Sequence, residues 1–172
     1  MKTLSIIIVV LLVAGAIGVI MLEKRPGYGA YYGLAKLTGS RLDIGPVNFA
    51  TLTRHNTPND ALICPAARCP DAKPDAEPKI YVVPPPELLA RLKKIALAEP
   101  GTSELRCEPN CDHVARILQH SRLMRFPDTI DVEVFPTGDN QSTLALYSRS
   151  LIGRGDMGVN RARLTRWLNA LD

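Results

Sequence analysis

Residues 143–171 read TLALYSRSLIGRGDMGVNRARLTRWLNAL, and the period of the chain changes within them. Thr143 to Ile152 has the composition of a strand. Gly153, Gly155 and Gly158 interrupt it. After them Leu164, Trp167, Leu168 and Leu171 fall at i, i+3, i+4 and i+7, the spacing of one helix face. A helix carrying a Trp stripe must bury that stripe, and the preceding strand is the nearest surface available. The stretch therefore predicts a sheet with a terminal helix packed on it.

Working back toward the N-terminus, Gly138-Asp139-Asn140 is a turn, and Ile130 to Phe135 alternates. Ile130, Val132 and Val134 point one way, while Asp131 and Glu133 point to what reads as a solvated outer face. Asp112 to Phe126 has helical spacing at Val114, Ile117 and Leu118 but no sustained stripe, and is read as strand. Thr102 to Cys107 is a further strand. Pro86 opens a helix that runs to about Ala98, with Leu88, Leu92, Ile95 and Ala96 as its stripe, before Pro100-Gly101 ends it. Ile80 to Val83 is a short strand stopped by three prolines. The order strand, helix, several strands, helix, joined by tight turns, predicts a two-layer α+β domain. Its sheet is mainly antiparallel and is covered on one face by two helices.

Three segments are expected: an anchor with its flanks over 1–25, a spacer over 26–60, and the α+β domain over 61–172. Leu4 to Leu22 is nineteen residues without a charge, about 28 Å as a helix and close to a bilayer core. A cleaved signal would end near Ala14-Gly15-Ala16, but the apolar run continues through Leu22, which favours an uncleaved transmembrane helix. Tyr28, Tyr31 and Tyr32 follow where amphipathic rings suit the headgroup layer. Ten of the fourteen prolines lie between Pro26 and Pro86, so that stretch cannot be one long helix. It reads as a spacer, pinned from about Asp43, with 71–78 the most polar and most mobile part.

The flanking charges do not settle orientation, since Lys2 argues one way and Lys24 and Arg25 the other. The four cysteines form two close pairs, Cys64 with Cys69 and Cys107 with Cys111. In an exported domain they read as two local disulfides. Zinc held with His113, or free thiols, are the alternatives, and the spacings are looser than those of a zinc ribbon. Disulfides place the domain outside the cytoplasm. The expectation is a single-pass protein of the bacterial inner membrane with its C-terminal domain in the periplasm.

Composition narrows function. A net charge of +4 with 5% aromatics argues against nucleic-acid binding. The charge is concentrated: between Ala145 and Leu171 lie Arg149, Arg154, Arg161, Arg163 and Arg166 against the single acid Asp156. A glycine-rich turn at a helix start offers amides and a dipole to an anion. Ser148, Arg149, Ser150, Arg154, Asp156, Asn160 and Arg161 are thus an anion-site candidate. Alternatively Asp156 or Asn160 caps the helix, and the arginines pair with Asp128 or Asp131. The glycines match neither a phosphate-loop nor a dinucleotide fingerprint. No metal or other cofactor is expected.

SRLMRFPDTIDVEVF at 121–135 and YSRSLIGRGDMGVNRARLTRW at 147–167 resemble the domain-of-unknown-function family numbered 1499. The resemblance lies in the Arg125-Phe126-Pro127-Asp128 step, the Ser148-Arg149-Ser150 step, and the run through Gly153, Asp156, Gly158, Asn160 and Arg163. It covers roughly Cys64 to the C-terminus, and Cys64-Pro65 with Cys69 resembles an early Cys-Pro…Cys element. Cys107 and Cys111 look like an addition. The resemblance implies the extent of the domain and is compatible with export, but brings no activity.

Catalytic options are poor. Ser148 and Ser150 lack a nucleophile elbow, and His55, His113 and His120 come without recognisable partners. The expectation is a membrane-anchored, non-catalytic envelope module that binds an anionic envelope component or a partner protein. The alternative is a hydrolase-like enzyme using Asp128 or Asp156 with Ser148 or Ser150.

Overall fold

The computed structural model describes residue 43 and residues 45–54, 56–106, 111–122 and 125–172. Leu4 to Leu22, the expected anchor, lies outside the described residues. Among the described residues the elements are a 3₁₀ turn (Phe49–Thr51), β1 (Asp60–Ile63), α1 (Pro85–Leu97), β2 (Thr102–Leu105), β3 (Val114–His120), β4 (Pro127–Gly138), β5 (Gln141–Ser150) and α2 (Val159–Leu171). The five strands form one antiparallel sheet in the order β1-β5-β4-β3-β2. The expected α+β class, antiparallel sheet and two helices are all present.

β4 and β5 form the central hairpin. Gly138 pairs with Gln141 across Asp139-Asn140, and Asn140 takes φ 52°, a left-handed conformation that Asn tolerates better than most residues. One face of the sheet carries Ile130, Val132, Val134, Leu144, Leu146, Ala115 and Ile117, and packs against Leu88, Leu92 and Ala96 of α1 and Leu164, Trp167 and Leu171 of α2. Trp167 is fully buried, as its stripe required. α1 starts with prolines in its first turn, where a missing N–H costs nothing.

The other face is not solvated, contrary to the sequence reading. Val47, Phe49 and Leu52 from the lead-in, with Cys64, Cys69 and Ala72, cover Leu62, Ala145, Tyr147 and Phe135. Asp131 is consequently only 3% exposed. The alternation of β4 was legible, but an acidic residue on the second face cannot signal burial unless its partners are known. Here they come from Arg116 and Arg149. The stretch read as pinned from about Asp43 packs here through Val47, Phe49 and Leu52.

Two segments differ from expectation at the β1 edge. Asp60–Ile63, which gave no strand signal between Pro58 and Pro65, pairs with Leu146–Arg149. Among the described residues Ile80 to Val83, expected as a strand, makes one bridge, Tyr81 with Ser142, and leaves Ile80 and Val82 exposed. β1 already occupies the edge of β5 from Leu146 onward, and the prolines that follow Val83 have no N–H to extend a ladder. Residues 71–78, expected to be the most mobile, are docked along β1. Asp75 donates its amide to the Leu62 carbonyl at 2.8 Å and accepts from the Leu62 amide on Oδ2 at 2.8 Å.

Cys64 and Cys69 form a disulfide. With both sulfurs committed, neither is available to zinc. Cys107 lies outside the described residues, and so does its expected pairing with Cys111.

Candidate functional site

Strand alternation divides the Ser-Arg-Ser step. Ser148 and Ser150 share a face with Leu144 and Leu146 and look toward α2, whereas Arg149 shares a face with Tyr147 and looks toward the lead-in. The two faces then build separate polar clusters.

On the helix face the centre is Arg163, which is 2% exposed. Its Nη2 donates to Asp128 Oδ2 at 2.6 Å, its Nη1 to Ser148 Oγ at 2.8 Å and Asn160 Oδ1 at 2.6 Å, and its Nε to Gln119. Ser148 donates to Asn160 Oδ1 at 2.5 Å. Asn160 Nδ2 donates to the Asn59 carbonyl and to Ser150 Oγ, both at 3.0 Å. Gln119 passes the network on to Glu99 Oε2 at 2.8 Å, and Glu99 also accepts from Trp167 Nε1 at 3.0 Å and from Arg166. Burial works to raise the Glu99 pKa, but the hydrogen bonds from Gln119, Arg166 and Trp167 outweigh it and hold the carboxyl below its ordinary value. The register explains the convergence: Asp128 stands opposite Ser150 on β5 and Gln119 on β3. Among the described residues every buried side-chain nitrogen and oxygen has a partner.

The turn between β5 and α2 uses its own anion. Asp156 accepts from the Gly158 amide at 2.9 Å and the Asn160 amide at 2.8 Å, so a carboxylate of the chain already occupies the start of the helix. Gly153 and Gly158 take φ 90° and 77°, values that suit glycine. The capping alternative describes this turn, and the expected anion at the first amides of α2 has its place filled by Asp156.

On the opposite face Arg149 donates to the Gly45 carbonyl at 2.6 Å, to Asp131 at 3.4 Å and to Thr129 Oγ1 at 3.3 Å, and lies over the Tyr147 ring. Arg116 joins Asp131 at 2.9 Å to Asp43 at 2.6 Å. Burial pushes the Asp131 carboxyl up, against the pull of Arg149 and Arg116. Arg161, mostly exposed, pairs with Asp75 at 2.6 Å. Arg154 is exposed on the turn. Arg149 and Arg161, two of the arginines expected at one anion site, thus pair with different acids, Asp131 and Asp75.

A cleft of about 710 Å³ opens instead where β3, β4 and the β5–α2 turn meet. Gln119, Asp128, Ser150 and Arg163 contribute its polar side, Phe126, Ile152, Met157 and Val159 its apolar side, and Arg122 and Arg166 lie among its cationic residues. Phe126 is 38% exposed, Val159 48% and Met157 completely. His120 also lines the cleft. Burial and the nearby Arg125 hold its pKa below the ordinary value, which favours the neutral imidazole.

Of the residues expected at a site, Ser150 and Asp156 line the cleft, and Ser148 and Asn160 lie behind it in the Arg163 network. Arg149, Arg154 and Arg161 are not among the lining residues. Gln119, Phe126 and Met157 were missed as site residues. Only Phe126 carried a signal, in the Arg-Phe-Pro-Asp step. Gln119 and Met157 reach the cleft by register and by a turn conformation that single-residue chemistry does not announce.

A family model described as Protein of unknown function (DUF1499) matches residues 48–171. The match begins at Asn48, which caps the 3₁₀ turn covering the second face, and ends at the last residue of α2. No curated protein matches the chain.

Proposed function

The chain belongs to the DUF1499 family, and from that premise we propose that it is a membrane-anchored, non-catalytic envelope module that binds an anionic partner or envelope component. Leu4 to Leu22 tethers it to the bacterial inner membrane, and the α+β domain works in the periplasm.

One observation carries the binding role: the cleft has exposed apolar walls, while its polar floor is committed to internal bonds. Asp128 is engaged by Arg163, and Ser150 Oγ accepts from Asn160. A carboxylate oxygen already bonded to a guanidinium is not free to receive a substrate proton, and a hydroxyl held by an amide is not activated. The Cys64–Cys69 disulfide supports the compartment, because such bridges persist in oxidising spaces.

A phosphatase reporter fused to the C-terminus should be active outside the cytoplasm, and the cysteines should resist alkylation until reduced. A reporter active only inside the cell, with freely reactive thiols, would contradict the reading. The hydrolase reading keeps one point in its favour, since Ser150, Asp128 and Asp156 line the same cleft. Ester hydrolysis that Ser150→Ala abolishes, with the fold intact, would establish it instead.

A further inference from the structure

We infer that the cleft takes a single-chain amphipathic anion: one carboxylate or phosphate head on an unbranched hydrocarbon chain. The inference rests on the binding-module reading and adds the ligand class.

The walls come from separate segments. Phe126 precedes β4, Ile152 and Met157 belong to the β5–α2 turn, and Val159 opens α2. Four apolar side chains on one cleft, three of them exposed, make a surface that water wets poorly. Met157 is fully exposed and takes φ 53°, a conformation that costs a non-glycine residue. Holding a flexible, polarisable side chain out at that cost suits a surface that must close around an alkyl chain.

The head follows from what the polar side has left to offer. Asp128 is bonded to Arg163, Glu99 to Arg166 and Trp167, and Asp156 to the α2 amides. One Asp128 oxygen and both oxygens of Glu99 and Asp156 are therefore engaged within the chain. The donors are not exhausted: Arg166 keeps 56% of its side chain exposed, and Arg122 is exposed and makes no ion pair with a described residue. A cationic head would meet carboxylates already engaged by the chain, whereas an anion meets Arg122, which has no carboxylate partner among the described residues, and the exposed part of Arg166, whose other partner is Glu99. The volume lies within the roughly 300–1,000 Å³ typical of small-molecule sites. Inorganic phosphate alone would leave the apolar walls wet.

The test uses the full chain in nanodiscs of zwitterionic lipid, with empty discs as blank, and displacement of fluorescent dansylundecanoate. Dodecanoate should displace the probe and dodecanol should not. Two further methylenes should strengthen binding about tenfold, up to the length that fills the cleft. Met157→Asp, at a fully exposed position, should keep the melting temperature and weaken dodecanoate at least tenfold. Arg166→Glu should weaken dodecanoate at least tenfold, while dodecanol still fails to displace the probe. A phosphate-headed lysolipid of equal chain length competing better than dodecanoate assigns the ligand to lipid headgroups; the reverse assigns free acids. Both results support the class. Equal displacement by dodecanol overturns the anionic head, and undiminished binding to Met157→Asp overturns the cleft. If no amphiphile binds but inorganic phosphate does, and Arg166→Glu removes it, this inference fails while the binding-module reading stands. Ester hydrolysis abolished by Ser150→Ala would instead remove that reading.

Discussion

Arg161 and Arg163 lie two residues apart on α2, and their surroundings give them opposite weights. Arg163 is buried with Asp128, Ser148, Asn160 and Gln119. Arg163→Met leaves the buried Asp128 without its cation, and should destabilise by about 3–5 kcal/mol in urea unfolding. Arg161 pairs with Asp75 from an exposed position, and Arg161→Ala should cost less than about 1 kcal/mol in the same measurement. Equal losses would mean that the Arg163 network is not what organises this end of the core. Nothing in the sequence separates these two arginines by chemistry. Only the phase of the helix does, since Arg163 adjoins Leu164 on the inward face. Counting charge in the segment made all five arginines look alike, whereas Arg149 is buried beside Asp131 and Arg161 is exposed beside Asp75.

At the scale of elements, β5 and α2 were legible because each has a strong period and the glycines mark the boundary between them. The turn itself was legible only as two alternatives, anion site or cap, because glycines and an Asp before a helix serve both. In the structure Asp156 bonds two amides there, the arrangement of the capping alternative. Asp156→Ala should cost about 1 kcal/mol, and Gly158→Ala, at φ 77° with open space around its missing Cβ, about 1–2 kcal/mol from backbone strain alone. Thermal melts of the two variants check both figures. An unchanged melting temperature for Asp156→Ala would show that the carboxylate is not the cap. β1 escaped notice for a different reason. Four residues between prolines carry no period long enough to read, and the strand exists because the open edge of β5 accepts it.

For the whole molecule, the sheet is covered on both faces, by helices on one and by the lead-in with its disulfide on the other. The helical cover was predictable from apolar stripes. The lead-in was not, because Phe49, Leu52 and Ala72 are spaced without period and acquire meaning only against Tyr147 and Ala145. Reducing the Cys64–Cys69 bridge, which closes a loop of sequence separation 5, should lower stability by about 2 kcal/mol. Acid should act in two stages, through His120 first and then through the carboxylates held below their ordinary values, Glu99, Asp43 and Asp75. The folded state disfavours protonated His120, so the unfolded chain binds more protons below the ordinary 6.5, and stability falls as pH drops through that range. Glu99 is held below its ordinary 4.5, so the stability it contributes is present above that pH and lost below it. Glu99→Gln should make the lower part of the decline in urea midpoint shallower, with Asp43 and Asp75 carrying the remainder, and leave the upper part. Asp131, pushed up by burial, runs the opposite way. The claim that ties the molecule together is that its ligand site is the apolar-walled cleft. The most direct measurement is photo-crosslinking of the full chain with a diazirine-bearing fatty acid, followed by peptide mapping. Labelling of the segments holding Phe126 and Met157, competed away by dodecanoate, is the result predicted here. Labelling confined to residues 4–22, or labelling of the cleft that dodecanoate fails to compete, would contradict it.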